Sequence, residues 1–219
     1  MNNIFFYVIF TIMLLGLNIK ADNVPCLPDC QNDQFTMDTY DLYLPLCNEV
    51  VEVDYGYRIA CNIWYDYYIE EVHFNSSHCI STEFGGDLNL MLQYITEQFI
   101  IANPENFPPH NPSECELNWR VLKGSCWTAE VAVSMGSISK KANNSKNVKN
   151  KIQSIPNVID RIKPCGPYVS DCCLEFYEVC INNEGDRIIS LTGYKPPQNE
   201  DCGAPSLCVP VCGSVYNRD

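Results

Sequence analysis

Fourteen cysteines lie between Cys26 and Cys212 of this 219-residue chain, and the compartment in which it folds decides what they are. A reducing cytosol would make them metal ligands, whereas an oxidising compartment makes an even count a disulfide framework. The N-terminus speaks for export. Ile4 to Leu17 form an apolar run broken only by Thr11 and Gly16, and Asn18-Ile19-Lys20-Ala21 lead into Asp22. Residues 1–21 read as a secretory signal peptide, the run being shorter than the ~20 residues a membrane-spanning helix needs. An uncleaved anchor is the alternative, because no Lys or Arg precedes the run and Ile19 is large for its place before the cleavage site. No later segment is long and apolar enough to span a bilayer, so no membrane span is expected after cleavage.

The expected framework comprises Cys26, Cys30, Cys47, Cys61, Cys79, Cys115, Cys126, Cys165, Cys172, Cys173, Cys180, Cys202, Cys208 and Cys212. The spacing leaves the connectivity open. Zinc is a weaker reading. Cys26 with Cys30 and Cys208 with Cys212 have knuckle-like spacing, but neither pair has a second matching knuckle, and His73, His78 and His110 form no zinc motif. Neither metal nor cofactor is expected. The chain is long enough for an ordinary core, and 46% hydrophobic against 19% charged residues excludes intrinsic disorder. With 27 acidic and 14 basic side chains, net -13, nucleic acid is not an expected partner.

Charge is unevenly placed. Residues 22–80 carry 11 acids and only Arg58, whereas 136–163 carry seven bases and only Asp160. This basic insert reads as a solvated loop or short exposed helix, and Lys140, Lys141, Lys146, Lys149 and Lys151 are candidates for electrostatic contact with an acidic neighbour.

Alternation predicts strands. Ile59, Cys61, Ile63, Tyr65, Tyr67 and Ile69 are expected to share the buried face of one strand over Tyr57–Ile69, preceded by Val51–Tyr55, with Gly56 turning a hairpin between them. A second hairpin is expected over Cys172–Lys195, turning at Asn182–Asp186. Its adjacent cysteines, Cys172 and Cys173, would point to opposite faces and so not bridge each other. A third pair is expected from Trp119–Leu122 and Cys126–Val133, with Lys123-Gly124-Ser125 between. Asp87 caps an amphipathic helix at about 87–102, with Leu88, Met91, Leu92, Ile95, Phe99 and Ala102 on one stripe until Asn103-Pro104. The expected fold is mainly β (α+β): a disulfide-rich antiparallel sheet or sandwich with this one helix. Residues 22–219 form one stapled domain, with a faint echo between 47–115 and 126–212 that suggests duplication.

No nucleophile elbow, zinc helix, P-loop or dinucleotide fingerprint occurs, and no catalytic residue is nominated. Glu70 with Glu71 and Glu49 with Glu52 are carboxylate pairs of the kind a glycosidase uses, and equally the kind an acidic surface carries. Trp64 and Tyr68 fall on the face read as outward, where aromatics stack on sugars or meet a protein partner, the other reading being burial of the pair against a second sheet. Asn75 and Asn143 stand in glycosylation sequons. The expectation is a secreted, extracellular or cell-surface binding or structural protein, adhesive or self-assembling, with an extracellular protein or glycan as partner. The alternatives are a carbohydrate-binding module and a carboxylate-dependent hydrolase.

Overall fold

A computed structural model describes residues 30, 33–74, 82–132, 158–165, 172–197, 202 and 208–212. Residues 1–21, Cys26, Asn75, Cys79, Asn143 and the lysines at 140, 141, 146, 149 and 151 lie outside the described residues. The chain is mainly β with one long helix. The strands are β1 (Thr36–Leu44), β2 (Glu49–Ala60), β3 (Trp64–Phe74), β4 (Cys115–Gly124), β5 (Cys126–Ala132), β6 (Val158–Pro164), β7 (Cys172–Ile181), β8 (Arg187–Lys195) and β9 (Val209–Pro210), and the helix is α1 (Leu88–Ala102). All nine strands belong to one curled sheet.

The first strands differ from expectation. Gly56 does not turn: it lies inside β2, opposite Met37 and Tyr68. The chain reverses at Cys61-Asn62, whose φ angles of 52° and 55° suit a mirror-image hairpin turn closed by Ile63 N–H donating to the Ala60 carbonyl. Ala60 pairs with Trp64, four residues on, so β2 and β3 keep the same parity and the alternation passes unbroken through the reversal. Tyr67 and Ile69 are buried as expected, but Ile59 and Ile63 are 50% and 52% exposed at the hairpin tip. Gly56 answers a different demand: a Cβ there would come within 2.9 Å of Met37 Sδ and 3.1 Å of the Phe35 ring.

Trp119–Leu122 and Cys126–Val133 are not a hairpin either. Lys123 and Gly124 stay in the ladder opposite Cys173 and Cys172, and the chain steps sideways at Ser125 instead of reversing. β3 is therefore the trunk of a fork. It pairs with β2 along one side, and along the other with β4, in parallel, at Tyr65–Ile69 and with β6 at Val72–His73. One arm runs β4-β7-β8 and the other β6-β5-β9. At the crotch Gly124 lets Pro164 approach, since a Cβ would lie 3.0 Å from the proline ring, and the Gly124 carbonyl accepts from Trp127 Nε1 at 2.7 Å. Residues 158–163 of the basic insert, expected as loop or helix, form β6 because Ile162 enters the core and Ile159 packs against it.

The hairpin β7–β8 forms as expected, with Gly185 at φ 91° in its turn and the Asn182 side chain accepting from Asp186 N–H at 2.7 Å. So does the helix: Asp87 Oδ1 accepts from Asn89 and Leu90 N–H, and Asn103 ends it in the left-handed region. α1 lays Met91, Leu92, Ile95 and Phe99 on the sheet face that carries Val51, Val53, Tyr55, Tyr67, Trp119 and Tyr177. Phe99 meets Tyr55 and Tyr67 with ring centroids 4.8 and 5.0 Å apart. The opposite face has a smaller cluster, Tyr68, Leu122 and Leu174, covered by Phe35, Met37 and Phe176.

Five bridges join described cysteines to one another: Cys30–Cys61, Cys115–Cys180, Cys126–Cys202, Cys165–Cys208 and Cys173–Cys212. Cys47 and Cys172 are disulfide-bonded as well, and no described cysteine is free. Three of these bridges anchor Cys202, Cys208 and Cys212 to the fork. Among the described residues no helix is long and apolar enough to cross a membrane.

Candidate functional site

The sheet face away from α1 carries two groups of charged side chains. Towards the β2–β3 tip, three neighbouring strands place Arg58, Asp66 and Arg120 directly opposite one another. Arg58 Nε donates to Asp66 Oδ2 at 2.9 Å, and Arg120 donates from Nε to Oδ1 at 2.6 Å and from Nη2 to Oδ2 at 2.8 Å. All three side chains are buried. Arg58 also donates to the Asp33 carbonyl at 2.6 Å and lies 4.5 Å from the Phe35 ring centroid, while Arg120 lies 4.5 Å from that of Trp64. Every oxygen of Asp66 is engaged, so this row is structural.

That row decides the fate of the outward aromatics. Tyr68 is 4% exposed, in edge contact with Phe35, and Trp64 is half-buried against Arg120 and Phe176. The pair forms no open platform. Burial, and then the charge of Glu70, push the Tyr68 hydroxyl up to about 12. The parity of the face was legible in the sequence, but its cover was not, because Phe35 and Met37 cross from β1 and its approach over the hole left by Gly56.

Towards the other end of the face the chemistry is open to solvent. The register aligns Asp41, Glu52, His73, Arg161 and Glu130 across β1, β2, β3, β6 and β5, with Asp54 opposite Glu71 in the next row. His73 Nε2 is 3.0 Å from Asp54 Oδ2 and 3.9 Å from Glu71 Oε1. Arg161 bonds Glu71 at 3.0 Å and also Glu130, which Lys163 holds from its other oxygen. Lys163 first, then Arg161, keep the Glu130 carboxyl below the ordinary range. His73 belongs to no zinc motif in the sequence; its carboxylate neighbours follow from register, and the bulge between Asp54 and Tyr55 that sets it has no sequence mark.

Three groups of side chains bring metal-ligating atoms together: Cys30/Asp33/Cys61, Cys115/Glu178/Cys180 and Glu52/Asp54/His73. The cysteines of the first two are joined in bridges, which leaves the third. The carboxylate pairs considered for hydrolysis are divided: Glu71 is tied to Arg161, Glu70 is exposed at the bulge, and Glu49 and Glu52, three apart on β2, face opposite ways. The side-chain oxygens of Asn182 and Asp186 close the β7–β8 turn, and that of Asn183 accepts from Ser113.

The sheet also ends in two long edges. β1 pairs only with β2 and β8 only with β7 among the described residues, each strand nine residues long. β1 meets β2 without a bulge, and its Thr39 N–H bonds the neighbouring Asp38 side chain at 2.8 Å, which puts it on the side away from β2. No protein-family model, no curated protein and no solved structure matches this chain.

Proposed function

We propose that this chain is an extracellular binding or structural subunit that associates with further copies by adding a strand along β1. The observation that carries the reading is the edge itself: nine regularly paired residues, without proline or lysine, whose outer side has no strand against it among the described residues. Edges of this length are normally blunted by bulges, lysine or proline, as β8 is by its bulge opposite Phe176/Tyr177 and by Lys195. β1 to β3 contain eight acids and one arginine, so a second copy would bring a basic segment to them, and residues 136–163 are the basic part of the sequence. The bridges support an oxidising, extracytoplasmic location. A contact between unlike surfaces that does not close propagates a filament.

Sedimentation of the mature protein from micromolar to millimolar concentration at low salt tests the reading. The expected result is concentration-dependent association that Thr39→Pro abolishes, because the substitution removes an outward N–H and no bond to β2. A protein that stays monomeric throughout that range, with no filaments in electron micrographs, overturns it.

A further inference from the structure

We propose that Glu52, Asp54 and His73 form a site for a divalent transition-metal cation of the zinc class on the open face of β2 and β3. One ligand atom from each lies within 4.8 Å of the others. Glu52 stands directly opposite His73, and Asp54 Oδ2 is 3.0 Å from the imidazole Nε2. Atoms that share one metal at the usual ~2.0–2.2 Å are separated by about 3 to 4 Å, so small side-chain rotations close the set. The ligands stand on adjacent paired strands, which fixes their backbones before any ion arrives.

Charge supplies the second reason. Asp41 is directly opposite Glu52, and Asp54 directly opposite Glu71, an arrangement of like charges that destabilises an antiparallel pair. The nearby cations do not relieve Glu52 or Asp54: Arg161 is bound to Glu71 and Glu130, and Lys163 to Glu130. Two carboxylates therefore converge on one imidazole with no Lys or Arg paired to either among the described residues. A divalent cation would offset that excess, and any proton on the imidazole nitrogen that binds it would pass to solvent. An imidazole with two carboxylates favours zinc or its transition-metal neighbours over calcium and magnesium, which prefer all-oxygen shells. Three protein ligands leave a coordination position for water.

The experiment uses the full mature chain with its bridges intact, stripped of metal and titrated with zinc chloride by calorimetry at about pH 7.5, with calcium and magnesium chloride in parallel. The expected result is one equivalent of zinc bound, no comparable calcium or magnesium binding, and zinc-dependent shifts of the His73 imidazole resonances. Affinity should fall about tenfold or more in His73→Ala and in Glu52→Gln and should be unchanged in His110→Ala. Absence of binding at millimolar zinc overturns the proposal. So does zinc that shifts His78 or His110 instead, or affinity that survives both His73→Ala and Glu52→Gln. The resonance shifts are read in the unsubstituted protein, so the result does not depend on whether a variant folds.

Discussion

Arg120 grips Asp66 through two parallel bonds, and the carboxylate so held is completely buried, with Arg58 on its other side. Replacing the carboxylate by an amide leaves two buried guanidinium groups without a counter-charge. Removing one partner of a buried ion pair costs about 3–5 kcal/mol, a drop of roughly 10 °C in midpoint for a chain of this size. Asp66→Asn should show that loss in thermal unfolding followed by circular dichroism. A change below about 1 kcal/mol would mean the row is far better solvated than its geometry indicates.

The alkaline limb of stability follows from the buried tyrosines. Burial is the largest cause raising Tyr55, Tyr67, Tyr68 and Tyr177 above the ordinary value, and Tyr68 reaches about 12. The folded state then keeps protons that the unfolded state releases near pH 10. This contribution is fully present below about pH 10 and is lost as pH rises through the folded value. Ultraviolet titration should show exposed tyrosines ionising first and a second class released only with unfolding. A single reversible step near pH 10 for all of them would contradict the burial pattern.

Gly56 is a packing device, not a turn. Gly56→Val would drive side-chain atoms into Met37 and Phe35, displacing the cover from Tyr68. Overpacking of this kind costs about 1–3 kcal/mol. Denaturant melts should show the loss, and Met37→Ala in the same chain should recover part of it. Without that recovery, the conflict lies elsewhere than under Met37.

Peptide mapping of the unreduced protein should recover Cys30–Cys61, Cys115–Cys180, Cys126–Cys202, Cys165–Cys208 and Cys173–Cys212. Loss of the Cys126–Cys202 bridge, which closes a loop of 76 residues, should cost about 4 kcal/mol in the chain-entropy model. Free thiols at these positions in protein from its native compartment would falsify the framework.

Local periodicity made the helix, the β7–β8 hairpin and the class of the fold readable from sequence. Asp87, Asn103 and the Asn182–Asp186 turn act within a few residues of themselves, and their meaning survives without neighbours. The fork was not readable. Period two says that Tyr65, Tyr67 and Ile69 share a face, but not that β3 has β4 beside its first half and β6 beside its second. Nor does it mark the reversal at Cys61-Asn62, whose odd-numbered connection preserves parity. The same blindness hid the candidate metal ligands: Glu52 and His73 are 21 residues apart and meet only through β2–β3 register.

The step at Ser125, which sends β4 and β5 into different arms, also decides what a cut backbone would do. The stretch joining β5 to β6 lies between Cys126 and Cys165, and Cys115–Cys180 and Cys126–Cys202 both reach across it. A peptide bond broken anywhere between residues 133 and 157 would leave the two fragments covalently joined, and both arms would keep their ladders to β3. The covalent continuity of the molecule does not depend on its own middle, so a protease acting on the basic segment would trim the protein without taking it apart.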